Sequence, residues 1–286
     1  MRVAAIDLGT NATRMLVADV ENGGVEEVLR RTRITKLGEG VDKRRRLLPV
    51  PIARVRNTLT DYRRELEALG AERTLAVATS AVRDAENGEA FLGEVEWSYG
   101  FATRLLTGDE EAAMTLRGVG PLEAGTVIVD VGGGSTELIT EGFRTSMDIG
   151  SVRLTERFDV HLGAAAAYIR SQLPDLRVER ALGVDGTTAE LAGIAGSDTV
   201  TLATIEDTLE WLNVSTEEER RARLIEPDRS EVLAAGVLIL RETLRHLGLD
   251  AITASTRDLL NGAALEAAAL PQPAEGEAPP GAYTCC

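Results

Sequence analysis

The sequence predicts an α/β protein built from two similar domains. Three observations carry this reading. Apolar strand-like runs alternate with segments of helical period. One unit, an apolar strand ending near an Asp, a Gly/Ser/Thr turn and a returning strand, occurs twice, at Asp7 and at Asp130. The chain has 286 residues, 44% hydrophobic and 27% charged, which is long for one core and comfortable for two. Duplication of a unit this size suggests two α/β domains facing each other.

Each element follows in order. Val3–Asp7 is a short apolar strand, Gly9-Thr10-Asn11 is turn chemistry, and Arg14–Val20 returns, so the chain opens on a hairpin. Val25–Ile34 adds a third strand. Val50–Leu69 carries Val55, Leu59, Tyr62, Leu66 and Leu69 at helical spacing and closes on Gly70. Thr74–Thr79 is a buried strand, Ala90–Tyr99 a helix and Ala102–Leu106 a strand. Asp109–Val119 is a helix with carboxylates at the favourable end of its dipole. The pattern then restarts: Thr126–Val131 is a strand, Gly132 to Thr136 the turn, and Glu137–Thr140 and Phe143–Ile149 are strands. Helices follow at Val152–Phe158, Ala164–Gln172, Thr187–Ala192, Thr204–Asn213 and Ser230–His246. Ala251–Ala254 is a late strand and Arg257–Ala269 a last helix. Residues 271–286 are rich in Pro, Gly and Glu and read as a disordered tail.

Composition excludes several functions. Aromatic residues make up 3% of the chain, too few for a base-stacking face on a nucleic-acid polymer. A net charge of -15 disfavours a membrane surface and requires any phosphate site to be built locally. An Asp interrupts the first apolar run too early for a signal peptide. The only cysteines are Cys285 and Cys286 and the only histidines His161 and His246. A cysteine nucleophile in the body and a histidine-rich metal cluster are thereby excluded, and a reducing cytoplasm fits.

The chemistry lies in the turns. Glycine lets backbone approach a ligand, and successive turn amides make an anion-binding nest. Thr10, Asn11, Ser135 and Thr136 add side-chain donors, and Gly132-Gly133-Gly134 exceeds what a hairpin needs. No Gly-Lys-Ser/Thr ending is present, and a strand instead of a helix follows the triplet, which sets aside Walker and dinucleotide loops. Gly186 and Thr187 open a helix, as a third anion site or as a glycine turn with Thr187 or Thr188 as N-cap. Asp7 and Asp130, at the strand ends, suit a hydrated divalent cation. With no histidine near the motifs, Glu110 and Glu111 are the remaining candidate bases. Arg14, Lys36, Arg83 and Arg153 are cations beside these motifs. Lys43-Arg44-Arg45-Arg46 reads as a solvated loop.

Together these stretches resemble the exopolyphosphatase and guanosine pentaphosphate phosphohydrolase (Ppx/GppA) family, of the actin and sugar kinase superfamily. The resemblance rests on Ile6 to Asn11 with Arg14, Lys36 to Asp42, Ala78 to Asn87, Thr107 to Ala112, Val129 to Leu138, Gly150 to Thr155, Gly186-Thr187 and Ala235-Gly236, in family order over residues 1–265. It implies two ribonuclease-H-like (actin-like ATPase) domains with an interdomain cleft. Residues 1–120 form the first, with the helix 256–270 packed back on it, and residues 121–255 the second. It implies Glu111 as base and Mg²⁺ dependence, Mn²⁺ serving as a substitute. It also implies phosphate contacts from Gly9, Thr10, Asn11, Arg14, Arg83, Gly132, Gly133, Gly134, Ser135, Thr136, Gly186 and Thr187. The implied reaction removes the terminal phosphate of inorganic polyphosphate. Its rivals are hydrolysis of guanosine pentaphosphate in the stringent response, a kinase, and a catalytically weak polyphosphate- or nucleotide-binding regulator. A homodimer is compatible. Ala12, Lys36, Ala113, Asp185 and Asn261 depart from the family pattern. Longer members carry a further C-terminal helical region, so the expected reaction is on short polyphosphates, or slowly on the end of a chain, without rapid processive digestion of very long polymer.

Overall fold

The computed structural model describes residues 1–158, 162–184 and 186–271. Asp185, His161 and the tail beyond Pro271, with Cys285 and Cys286, lie outside the described residues. The chain divides into two compact units. The first holds residues 1–118 and the helix that begins at Leu259; the second holds Val119–Asp258.

The first unit opens on β1 (Arg2–Leu8), β2 (Ala12–Glu21) and β3 (Gly24–Ile34). It continues through α1 (Val41–Arg44), α2 (Pro49–Ala68), β4 (Arg73–Ala78), α3 (Ser80–Arg83), α4 (Gly88–Tyr99), β5 (Ala102–Leu105) and α5 (Gly108–Val119). Its sheet has the order β3-β2-β1-β4-β5, with β1 antiparallel to β2 and parallel to β4. Apart from Arg2 and Asp7, β1 is apolar because both faces are buried. Ala4, Ile6 and Leu8 face a core with α2 residues Val55 and Leu59, while Val3 and Ala5 face a core with Met114, Leu260 and Ala264. The period of two in a strand makes this division obligatory.

The second unit contains β6 (Thr126–Val131), β7 (Thr136–Ile139), β8 (Arg144–Met147), α6 (Ser151–Phe158), α7 (Leu162–Gln172), β9 (Arg180–Gly183) and α8 (Gly186–Ala195). It ends with β10 (Thr199–Thr201), α9 (Leu202–Val214), α10 (Glu217–Arg223), α11 (Ser230–Leu247) and β11 (Ala251–Ala254). The sheet order is β10-β11-β9-β6-β7-β8. Read from β8, the first five strands repeat the first sheet's order and directions, and β10 is an added antiparallel edge strand. Both units are thus ribonuclease-H-like. The central α11 buries Leu233, Val237, Leu240 and Leu244 in the sheet's core. The last helix, α12 (Leu259–Ala269), packs on β1, β2 and β4 of the first unit. Its Gly262 is required by closeness, since a Cβ there would lie 2.0 Å from the Met114 carbonyl oxygen.

Five elements were not legible in the sequence: α1, α3, β9, β10 and α10. Four of them have only three or four residues, too few to show a period. The fifth, α10, buries none of its residues, so it has no apolar stripe. Its start does carry a capping box between Thr216 and Glu219. The basic run expected as a solvated loop is partly helical, since Lys43 and Arg44 complete the single turn of α1.

Candidate active site

In each sheet the parallel strands bring their carboxyl ends to one edge, where open α/β sheets bind ligands. In the first unit Leu8 is level with Ala78, and Ala78 with Leu105. That register collects Asp7 to Asn11, the Thr79–Arg83 segment and the Leu106–Glu111 segment at one edge. In the second unit Val129 is level with Gly183, so the Gly132 turn and the start of α8 also share an edge.

The two hairpin turns are built alike. The Gly9 amide donates to the Ala12 carbonyl at 3.1 Å, and the Gly132 amide to the Ser135 carbonyl at 2.9 Å. A Cβ on Gly9 or Gly132 would lie 2.8 or 3.0 Å from that same carbonyl oxygen, so both turns demand glycine. In both loops the carbonyls are taken from behind. The Thr10 carbonyl accepts from the Gly38 amide, and the Asn11 carbonyl from the Thr35 and Lys36 amides. The Gly132 carbonyl accepts from the Ser151 amide, and that of Gly133 from the Val152 and Arg153 amides. Arg153 Nε donates to the Gly134 carbonyl at 2.7 Å. Arg153 is therefore a buried strut of this loop, a role its sequence context did not disclose. Thr136 Oγ1 donates to the Ile149 carbonyl, so its one hydroxyl proton is already engaged. Thr10 Oγ1 and both polar atoms of the Asn11 amide are buried with no hydrogen-bond partner among the described residues, a condition that a bound polar ligand would relieve.

The acidic residues separate by environment. Asp7 is opposite Arg14 in the β1–β2 register, and Arg14 Nε and Nη2 both donate to Asp7 Oδ2, at 3.0 and 2.8 Å. Asp7 was expected to hold a metal and Arg14 to hold phosphate. The hairpin places the two charges face to face, so each of those roles would fall to a member of this ion pair. In the second hairpin the corresponding pair is Asp130 and Glu137, two carboxylates directly opposed, with Glu137 1% exposed. Ser146 Oγ donates to Glu137 Oε1 at 2.6 Å. Like charges so placed repel, and a divalent cation suits them, since Mg²⁺ takes one or two carboxylates and completes its shell from water and substrate oxygens. The described residues contain no cluster of three or more acidic, His or Cys ligands, so that completion would be needed here. Glu137 was missed in the sequence; its signal was the seven-residue offset from Asp130 that Arg14 has from Asp7.

The Glu pair is divided more sharply still. Glu110 was grouped with Glu111 as catalytic, but it is a helix cap. Its carboxylate accepts from the Thr107 amide at 2.9 Å and from Arg104 at 2.7 Å, while Thr107 Oγ1 accepts from the Glu110 amide. These donors, the Thr107 amide first, hold its carboxyl down to about 2. The signal was in the sequence as Thr-x-x-Glu. Glu110→Ala is expected to lower Tm by a few degrees and leave turnover at the parent level, a result read by thermal melting beside a phosphate-release assay.

Glu111 is one residue on and 8% exposed. Burial pushes its carboxyl up to about 7; Arg83 opposes that shift, while Asp7 adds to it. Arg83 Nη1 donates to the Leu106 carbonyl at 2.8 Å and to Glu111 Oε2 at 3.3 Å, so this guanidinium orients the carboxylate. Without its charge the carboxyl should rise further. Arg83→Gln is expected to move the acidic limb of the kcat/KM–pH profile to higher pH, and an unmoved limb would remove Arg83 from control of Glu111.

The start of α8 is closely packed. Thr187 is buried against α11, where a Cβ on Gly236 would lie 2.6 Å from Thr187 Oγ1, and a Cβ on Gly186 would lie 2.3 Å from Arg229 Nη2. Asn261 lies in α12 and accepts from Arg30 Nη2 at 3.2 Å.

Comparison with known proteins places this arrangement. Residues 16–269 match the model of the Ppx/GppA phosphatase family. The chain is 37% identical to exopolyphosphatase 2 of Mycobacterium tuberculosis, over 93% of its own length and 98% of that protein's. It is 32% identical to the guanosine-5'-triphosphate,3'-diphosphate pyrophosphatase of Vibrio vulnificus, covering 92% of itself and 58% of that chain. Among solved structures, an exopolyphosphatase-like protein superposes with a TM-score of 0.84 at 28% identity, covering 93% of this chain and 97% of the other. The Aquifex aeolicus Ppx/GppA member superposes with a TM-score of 0.74 at 29% identity, over 93% and 97%. Family model, relatives and fold agree: the chain is a member of the Ppx/GppA phosphatase family.

Proposed function

We propose that this protein is an exopolyphosphatase, hydrolysing the terminal phosphoanhydride of inorganic polyphosphate and releasing orthophosphate. The observation that carries the proposal is Glu111, a buried carboxyl raised to about 7 at the strand-end edge that also bears the Gly9 turn. A base whose pKa sits near the working pH combines the right protonation state with useful driving force.

The roles follow from the local chemistry. In the first unit, phosphate binding is assigned to the amides of the Gly9 turn with Thr10 and Asn11; in the second, to the amides of the Gly132 turn with Ser135. Glu111, held by Arg83, aligns water in line with the terminal phosphorus and takes its proton. The phosphoanhydride bond breaks, and the shortened chain leaves with the bridging oxygen. Asp130 and Glu137 would hold Mg²⁺, or Mn²⁺ in its place. Such a cation, when bound, supplies positive charge against the oxygens that accumulate negative charge. Positioning and electrostatics do most of the work in this chemistry. We place the enzyme in the cytoplasm, since its only cysteines, Cys285 and Cys286, leave the body of the chain without a disulfide; no helix of the described residues is long and apolar enough to cross a membrane.

The second reading is guanosine pentaphosphate hydrolysis, linked to the stringent response, which the Vibrio vulnificus relative supports. The deciding experiment measures phosphate release from long polyphosphate, tripolyphosphate and guanosine pentaphosphate side by side, with and without Mg²⁺. Preference for the inorganic polymers supports the proposal, and preference for the nucleotide replaces it with the second reading. Tight binding of either without release would identify a regulator instead.

A further inference from the structure

The run Lys43-Arg44-Arg45-Arg46 takes no part in the roles above. All four residues are exposed, in a chain of net charge -15. Among the described residues the run's ion pairing is confined to Arg45, whose Nη1 lies 4.0 Å from Asp84. Lys43, Arg44 and Arg46 have their charges uncommitted.

The backbone of this run is held at both ends by segments of the candidate site. On the entry side, the Gly38 amide donates to the Thr10 carbonyl and the Gly38 carbonyl accepts from the Val41 amide. A Cβ on Gly38 would lie 2.2 Å from Thr10 Cγ2. The run begins in the single turn of α1 that follows, at its third residue. On the exit side, the Arg45 carbonyl accepts from the Glu86 amide at 2.8 Å. The Asn87 side chain holds Leu47 twice, accepting from its amide at 2.8 Å and donating to its carbonyl at 3.1 Å. Glu86 and Asn87 lie three and four residues after Arg83, which orients Glu111. Arg45 is in the left-handed region at φ 52°, where it caps the C-terminus of α1 with its amide donating to the Val41 carbonyl.

We propose that Lys43, Arg44 and Arg46 form an auxiliary binding track for the body of a linear polyphosphate whose terminus is in the site. The inference rests on the hydrolase reading for its substrate class. A polyanion is held chiefly by charge neutralisation, so a cationic surface tied to the phosphate loop favours long chains over short ones. Scarcity of aromatic residues, 3% of the chain, argues for an inorganic polymer over a nucleic acid, whose bases would stack.

The test is the triple variant Lys43→Gln, Arg44→Gln, Arg46→Gln in the full chain. It leaves Arg45, with its φ and its Asp84 contact, in place. The expected result is a KM for long polyphosphate raised about tenfold, with kcat and tripolyphosphate kinetics unchanged. Binding of fluorescently labelled long polyphosphate should lose a similar factor. The slope of log affinity against log salt should flatten by about 2, as for three lost phosphate contacts. Equal kinetics on long polyphosphate in parent and variant, or an equal loss on tripolyphosphate, would overturn the track. If the parent releases no phosphate from any substrate, the hydrolase reading fails, and the binding measurement alone decides: unchanged affinity and slope reject the track, and a weakened, flatter response sustains it.

Discussion

Glu111→Gln is expected to lower turnover by about 10²–10⁴-fold, the usual worth of a general base, in a protein at least as stable as its parent. The two expectations have one cause. Burial raises the Glu111 carboxyl from 4.5 to about 7. Between those values the folded state keeps a proton that the unfolded chain has released, so stability falls as pH rises through the window and the deficit is complete above about 7. The deficit approaches ~3 kcal/mol. Glutamine has the same shape and no proton to lose, so it escapes the deficit. The Tm of the variant relative to the parent should therefore rise between pH 5 and pH 8. The parent's kcat/KM should rise through a limb near 7 that the variant lacks. Parent-like turnover in the variant would remove Glu111 from the mechanism, and a Tm difference independent of pH would show that its carboxyl is not perturbed.

Gly133→Val is expected to reduce kcat/KM by about 10²-fold or more, on the scale of losing a backbone donor to a phosphate oxygen, with the fold retained. The carbonyl of Gly133 is fixed from behind by the Val152 and Arg153 amides, at 2.8 and 3.1 Å. A Cβ on Gly150 would come within 2.4 Å of that carbonyl oxygen, so the loop cannot retreat. A branched side chain on Gly133 must then project toward the ligand. The first turn carries Thr10 at the equivalent place, but a hydroxyl can bind an oxygen where a valine only excludes it. Circular dichroism and thermal melting confirm folding while phosphate release reads the loss. Kinetics equal to the parent's in a folded variant would reduce the triplet to a hairpin turn.

The sequence by itself determined the duplicated unit, the strands and long helices around it, and the glycine turns, because each is a local property: an apolar run, a period, a turn residue. It also placed Glu111 among the candidate bases, by the lack of histidine near the motifs. Only the tertiary structure decided which charges act together. Asp7 looks like Asp130 in sequence, yet strand register sets Arg14 opposite the first and Glu137 opposite the second. The first pair carries opposite charges, and the second carries like ones. Glu110 and Glu111 are adjacent and chemically alike, but successive helical residues point about 100° apart. One faces solvent, Thr107 and Arg104, and its carboxyl falls to about 2; the other turns inward and rises to about 7. Arg153 similarly became a strut when α6 brought it beneath the glycine triplet. Chemical type is written in the chain, whereas protonation and partnership depend on burial and on neighbours distant in sequence, and folding supplies both.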